Sequence, residues 1–125
     1  MARIMTARIS YRGRADETVL NTTVKSASGS GAVFAPTWDM VMKSKRGEID
    51  WQEYTRQYTA LMRKRYQANK EAFLEVLSYE KPVVTCYCRD THRTSKHCHR
   101  YILVDILEKI ARHEGIKFQY IGEAK

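Results

Sequence analysis

The chain has 125 residues, of which 43% are hydrophobic, so it fits one globular domain and is not a mostly disordered chain. Its 22 Lys and Arg against 14 Asp and Glu give a net charge of +8, which favours anionic partners. The apolar runs are far shorter than the ~20 residues of a membrane span. Residues 1–5 lack a signal-peptide apolar region, so we expect a reducing, cytoplasmic compartment.

Short strand and helix signals alternate in the first part of the chain. Residues 3–11 are predicted to form a first strand, and the segment 18–24, rich in β-branched residues, a second. The Gly- and Ser-rich segment 27–31 is predicted to be a loop, too short to separate two domains. A short helix is predicted to begin at Pro36-Thr37 and to end at Gly47.

A longer helix is predicted to begin at Asp50. Asp50 as the N-cap and Glu53 three residues later match the capping-box pattern. Apolar and aromatic residues then recur at helical spacing, which predicts that this side of the helix faces the core. They are Trp51, Tyr54, Tyr58, Leu61 and Met62. A further helix carries Phe73, Val76 and Leu77.

The last third of the chain predicts a strand, a polar loop, a helix and a strand. Pro82 opens the strand that continues to Tyr87, and the final strand is predicted over 116–121. The helix between them ends at Gly115. This order makes a right-handed βαβ unit with a parallel pair. Residues 1–125 are therefore predicted to form one α/β domain, a mostly parallel sheet flanked by helices in a Rossmann-like arrangement.

A phosphate site is indicated where the buried strand is followed by the last helix. Ligands of open α/β sheets bind beyond the carboxyl ends of the strands, and a helix that begins there directs free N–H groups and its dipole toward an anion. Arg100 lies near the predicted helix start, and Arg89 and Arg93 flank the loop. Guanidinium groups bind phosphate through paired hydrogen bonds. Solvated surface charge is the simpler interpretation of the other basic clusters.

All three cysteines fall in this same segment, as Cys86, Cys88 and Cys98. An odd count is not a disulfide framework. A thiol near a helix start, beside Arg or His, is favoured as a thiolate nucleophile, which makes Cys98 a candidate. A phosphatase-type loop needs Arg six residues after its Cys, but His92 and Thr94 stand at those positions. Packing of the thiols as small apolar groups remains the alternative.

Zinc is a further alternative for this segment. Cys86, Cys88 and Cys98, with one of the nearby histidines, supply four suitable ligands. The candidate histidines are His92, His97 and His99. Cys86 and Cys88 are separated by one residue, so on a strand their side chains point to opposite faces. We therefore expect no cofactor, with zinc as the exception to test.

The same residues resemble a known family. Cys86-Tyr87-Cys88, a polar loop and then Cys98-His99-Arg100 look like the signature of the family catalogued as domain of unknown function 488. The similarity to its small bacterial and phage members extends from about Ile4 to Gly122. The other segments that carry it are Tyr11-Arg12-Gly13, Lys25-Ser26, Phe34-Ala35-Pro36-Thr37-Trp38, Glu53-Tyr54-Thr55 and Leu61-Met62-Arg63.

The resemblance implies a compact α/β fold and a role around nucleotides, nucleosides or their derivatives. Carried over by position, it implies a set of site residues: Cys86, Cys88, Cys98, His99 and Arg100, with Tyr11, Arg12, Lys25 and Ser26 as additions. The additions also have structural interpretations, as strand packing, solvated charges and a turn residue.

Two hypotheses follow for function. In the first, a phosphorylated nucleotide-type ligand binds at the segment from Cys86 to Arg100. It is either sequestered, as by a phage counter-defence protein, or cut or transferred at a glycosidic or phosphoester bond. Candidates for catalysis are Cys98, His99 and His92. In the second, the basic chain binds nucleic acid without sequence preference and loses affinity steeply with salt.

Overall fold

The computed structural model describes residues 2–8, 11–22, 29–86 and 99–123. In these ranges four strands form one sheet, in the spatial order β2-β3-β1-β4, and every pairing is parallel. The strands are β1 (Ala2–Arg8), β2 (Thr18–Asn21), β3 (Pro82–Cys86) and β4 (Phe118–Glu123). The predicted α/β fold with a parallel, Rossmann-like sheet is confirmed.

Two of the described helices, which begin at Trp38 and Trp51, have a side-chain N-cap. A 3₁₀ helix and four α-helices connect the described strands: Gly29–Phe34, then α1 (Trp38–Lys45), α2 (Trp51–Ala68), α3 (Lys70–Ser78) and α4 (His99–Glu114). Thr37 accepts a hydrogen bond from the Met40 N–H at 3.2 Å, and Asp50 accepts one from the Glu53 N–H at 2.8 Å. The Glu53 carboxylate bonds Arg56 and Gln57, so it does not act as the second half of a capping box.

The helices pack on the sheet face that carries Ile4, Leu20 and Val84. These three side chains belong to one buried cluster with residues of α2, α3 and α4, and the predicted core residues Trp51 and Leu61 are partly buried against it. Val19, next to Leu20, points to the opposite face because strand side chains alternate. Gly13 lies against Val19, where an added Cβ would come within 2.6 Å of Cγ2, and its φ is +79°. The segment 11–17 after β1 therefore crosses the face opposite the helices.

The last strand begins two residues later in the sequence than predicted, and it pairs with β1 instead of with β3. Residues 116–117 close α4 instead of starting the strand: the Ile116 N–H donates to the Ala111 carbonyl at 2.8 Å, and Gly115 has a φ of +72°. β4 consequently extends to Glu123. β3 and β4 run parallel, as predicted for a βαβ unit, but β1 lies between them.

The chain leaves the sheet toward opposite faces after the neighbouring strands β1 and β3. After β1 the segment 11–17 lies on one face, and after β3 the chain reaches α4 on the other. Open α/β sheets bind ligands in the crevice beyond the carboxyl ends of two strands where the chain changes direction in this way. No helix in the described ranges is long and apolar enough to cross a membrane.

Candidate functional site

The carboxyl ends of the strands and the start of α4 meet at one edge of the sheet, called here the carboxyl edge. The strand register pairs Arg8 with Cys86, and Thr6 with Glu123, so β3, β1 and β4 end side by side. Thr22 follows directly after β2 at the same edge, and its N–H donates to the Thr85 carbonyl at 3.0 Å. Polar residues at these strand ends and at the α4 start therefore share one environment.

His99, a predicted site residue, is buried at the first position of α4. Its Nε2 lies 3.0 Å from the Thr22 hydroxyl and 2.9 Å from the Thr22 carbonyl. Its ring also packs on Tyr58, with centroids 5.5 Å apart. The hydroxyl of Tyr58 donates a hydrogen bond to the Phe34 carbonyl oxygen at 2.7 Å. It is therefore the ring of Tyr58, and not its hydroxyl, that contacts His99. These contacts fix the His99 ring between the end of β2 and α2.

The contacts with Thr22 determine which ring nitrogen of His99 carries the proton. A carbonyl oxygen only accepts, and the Thr22 hydroxyl donates its own proton to the Thr85 carbonyl at 2.7 Å. Nε2 must therefore be the donor, which leaves the lone pair on Nδ1. Burial lowers the pKa of His99 from the usual 6.5 to about 4, against the raising effect of the Thr22 carbonyl. The ring is neutral at pH 7, so only Nδ1 could accept a proton or bind a metal.

Arg100, a predicted ligand-binding residue, is fully buried and paired with a carboxylate. Its Nη2 lies 2.8 Å from Glu123 Oε2 and its Nε lies 3.3 Å from Glu123 Oε1. Its Nη2 also donates to the Tyr101 hydroxyl at 3.1 Å, and that hydroxyl donates to Glu123 Oε1 at 3.3 Å. Burial lowers the pKa of Arg100, but the hydrogen bond and charge of Glu123 outweigh this effect and raise it. The guanidinium therefore remains charged.

The two ends of this ion pair differ in exposure. The Arg100 side chain is 0% exposed, whereas the Glu123 side chain is 24% exposed. A molecule that approaches the carboxyl edge along β4 therefore meets the carboxylate, while the guanidinium lies behind it. This geometry gives Arg100 the role of holding Glu123, and direct binding of a ligand by Arg100 stays a prediction.

A pair of hydrogen-bonded hydroxyl groups joins β1 to β4. The Thr6 Oγ1 and the Tyr120 hydroxyl are 2.7 Å apart, and Thr6 is fully buried. Thr6 is also the register partner of Glu123. Of these groups, the hydroxyl of the partly exposed Tyr120 and the Glu123 carboxylate are those that a hydroxyl-bearing ligand could reach.

Tyr11 and Arg12 lie in the segment that crosses the opposite face. The Tyr11 hydroxyl donates to Glu17 Oε1 at 2.5 Å, which raises the pKa of Tyr11, and the same oxygen accepts the Arg14 N–H at 2.9 Å. Arg12 is exposed. The Tyr11 hydroxyl is therefore bound within its own loop, and the described contacts do not join it to His99 and Arg100.

Most of the remaining predicted site residues lie outside the described part of the chain. They are Lys25, Ser26, Cys88, Arg89, His92, Arg93 and Cys98. Of Cys86 the backbone is described, as the last residue of β3, but the side chain is not. Within the described ranges no three His, Cys, Asp or Glu side chains are grouped as metal ligands would be. The three cysteine side chains lie outside the described part of the chain, so zinc at Cys86, Cys88, Cys98 and His99 stays a prediction.

Sequence reasoning did not identify Glu123 and Thr22. Glu123 was missed because the final strand was predicted to end at Ile121, short of the carboxyl edge. Thr22 lay inside a predicted strand, and its partner His99 is 77 positions away in the sequence. An acidic residue that follows a predicted edge strand was the one available signal for Glu123.

Comparison with known proteins gives one match. A family model named DUF488-N3a, described as the active DUF488-N3 subclade, matches residues 1–111. The match covers β1 to β3 and most of α4, and it includes His99 and Arg100. No curated protein and no solved structure matches the chain significantly.

Proposed function

Because the chain belongs to the family catalogued as domain of unknown function 488, in its N3a subclade, we propose that it binds a phosphorylated, nucleotide-type small molecule at the carboxyl edge. One observation carries this proposal: a buried histidine, His99, and a buried ion pair, Arg100–Glu123, both lie at the end of the sheet where parallel sheets bind ligands. Buried ion pairs contribute little net stability, because desolvation offsets their attraction. Their presence at this edge therefore favours a functional role over a purely structural one.

Charge supports a phosphorylated ligand over a neutral one. The chain carries a net charge of +8, and its sequence places Arg89 and Arg93 shortly before α4. The α4 helix has 16 residues and begins at the carboxyl edge, so its dipole favours negative charge there. We propose Cys86 and Cys88 as ligand-binding residues and the cytoplasm as the compartment.

The catalytic version of the proposal has the stronger support. The matched subclade is described as active, and the described structure adds a carboxylate, Glu123, to the candidates Cys98, His92 and His99. Cleavage or transfer of a glycosidic or phosphoester bond needs such a base or nucleophile within reach of the substrate. In the alternative version the protein sequesters an intact signalling nucleotide, as a phage counter-defence protein would.

Mass spectrometry after incubation with nucleotides separates these versions. The purified full chain is mixed with a panel of nucleoside mono-, di- and triphosphates and cyclic nucleotides, and bound and free fractions are analysed after denaturation. A new product supports catalysis, and an intact ligand released from the protein supports sequestration. Neither product nor bound nucleotide across the panel would contradict the proposal. Elemental analysis of the same sample tests for zinc.

A matched pair of variants tests where the phosphate of the ligand binds. Arg93→Ala is expected to weaken nucleotide binding roughly tenfold or more, since hydrogen bonds to charged groups contribute about 1.5–3 kcal/mol. Arg63→Ala removes one charge from the exposed side of α2 and is expected to leave binding unchanged. Equal losses in both variants, with binding of generic oligonucleotides that weakens steeply with salt, would favour nucleic acid as the partner instead.

A further inference from the structure

We infer that Glu123 recognises the sugar of the bound nucleotide, by accepting hydrogen bonds from its ribose hydroxyls. This inference rests on the proposed function and assigns one part of the ligand to one residue. Glu123 is the last residue of β4, beside the carboxyl end of β1. A ligand in the crevice beyond β1 and β3 that extends toward β4 would therefore reach this carboxylate.

The exposed end of the buried ion pair determines what this position can bind. Glu123 is 24% exposed and Arg100 is 0% exposed, so the accessible atoms are carboxylate oxygens. An ionised carboxylate only accepts hydrogen bonds and repels phosphate. A ligand group at this position must therefore be a donor, and hydroxyls are the donors that every ribonucleotide carries.

The carboxylate has room for such a donor. Each of its oxygens can accept two hydrogen bonds. Oε1 accepts from Arg100 Nε and from the Tyr101 hydroxyl, both at 3.3 Å, whereas the hydrogen bond found to Oε2 among the described residues is that from Arg100 Nη2 at 2.8 Å. Oε2 therefore keeps one accepting direction for a ligand hydroxyl.

Arg100 and Tyr101 act as positioning residues for this acceptor. Bonds from two different side chains to the two oxygens fix the rotation of the carboxylate, and the Arg100 Cζ lies 4.7 Å from the centre of the Tyr101 ring. A carboxylate held in one orientation loses little conformational entropy when a hydroxyl binds it. The Tyr120 hydroxyl on the same strand, which bonds the buried Thr6, is a further polar group for the rest of the sugar.

The test compares ligands with and without the hydroxyls. Dissociation constants are measured by calorimetry for a panel of ribonucleoside 5′-monophosphates and their 2′,3′-dideoxy analogues. With the wild-type chain we expect removal of the hydroxyls to weaken binding roughly 10- to 100-fold, the range for hydrogen bonds to a charged group. Glu123→Gln should reduce this ratio to a few-fold. Glu80→Gln, which alters an exposed carboxylate bonded to Arg3 at 2.7 Å, should retain the full ratio.

The outcomes separate this inference from the proposed function. Ribonucleotide binding by the wild-type chain without discrimination against the dideoxy analogues would overturn the role of Glu123 and leave the nucleotide site standing. Absence of nucleotide binding would overturn both. If Glu123→Gln does not fold, Tyr101→Phe provides the variant: loss of the hydroxyl that orients Oε1 should reduce the ratio roughly two- to fivefold, and an unchanged ratio would contradict the positioning role.

Discussion

The two edges of the sheet use the same ion-pair chemistry in different surroundings. The end of the sheet where β1 and β3 begin is called here the amino edge. There Arg3 bonds Glu80 at 2.7 Å, with 38% and 66% of the side chains exposed. At the carboxyl edge Arg100 bonds Glu123 at 2.8 Å, with 0% and 24% exposed. The distances are nearly equal, but the Arg100–Glu123 pair is much less exposed to solvent. The same interaction therefore has a different energy at each edge.

The difference separates a surface contact from a candidate site. An exposed ion pair contributes about 0–1 kcal/mol and needs no functional explanation. The amino edge also has an open depression of about 560 Å³, lined by Arg3, Ser78, Glu80 and Gln119, whose two charged groups bond each other. At the carboxyl edge charge is desolvated beside a neutral buried histidine. Buried polar chemistry therefore points to the carboxyl edge as the candidate site.

Removing the acidic partner at each edge should give the largest contrast. Glu123→Ala leaves the guanidinium of Arg100 buried without this carboxylate, and breaking a buried pair in this way costs about 3–5 kcal/mol. Glu80→Ala removes an exposed partner and should cost less than about 1 kcal/mol. Urea unfolding of both variants and the wild type measures these changes. Similar losses at both edges would contradict the difference drawn between them.

Acid should weaken the carboxyl edge through His99. Its pKa is lowered to about 4 in the folded chain, while in the unfolded chain it is near the usual 6.5. The unfolded state therefore binds a proton first, so the stability contribution of His99 is complete above pH 6.5 and is lost as the pH falls toward 4. The loss is about 2–3 kcal/mol by proton linkage.

Two glutamine variants isolate this effect from the titration of carboxylates. His99→Gln keeps a donor for the Thr22 carbonyl but cannot titrate, so its stability should fall less between pH 7 and pH 4 than that of the wild type. His113→Gln changes a histidine that is 79% exposed and should follow the wild-type profile. Parallel profiles for His99→Gln and the wild type would show that His99 is not buried neutral.

The smallest effect is expected for the tyrosine hydroxyls that bond carboxylates. Tyr101→Phe removes the bond to Glu123 at 3.3 Å and should cost about 0.5 kcal/mol, because a long hydrogen bond contributes little net stability. Tyr79→Phe removes an exposed bond of the same length, to Glu75, and serves as its control. The free energy of unfolding of both variants is measured with the same urea assay. Only Tyr101→Phe should also change the preference for ribose.

Local patterns in the sequence predicted most of the fold. The N-caps Thr37 and Asp50, the spacing of Tyr54, Tyr58 and Met62, and the stop at Gly115 each act within one or two helical turns, so they can be identified without the fold. The parallel sheet followed from the order of the elements. The placement of β1 between β3 and β4 did not, because strand order depends on packing between distant segments.

The candidate site was predicted in part, for the same reason. The sequence indicated His99 and Arg100, and it indicated the carboxyl ends of the strands as the place of the candidate site. It did not indicate that Glu123 accepts from Arg100 or that Thr22 fixes the His99 ring, since these partners are 23 and 77 positions apart along the chain. The structure pairs Arg100 with a carboxylate, and its contact with a phosphate stays a prediction. Pairing over such distances is a tertiary effect that local patterns do not carry.

The most direct test of the account is a map of where a nucleotide binds. Amide NMR shifts of the full chain are followed while a ribonucleoside 5′-monophosphate is added. We expect the largest shifts at the carboxyl edge, at Thr22, His99, Arg100 and Glu123, with little change at Arg3 and Glu80. Shifts concentrated at the amino edge, or spread evenly over exposed Lys and Arg residues, would contradict the proposal that the carboxyl edge binds the ligand.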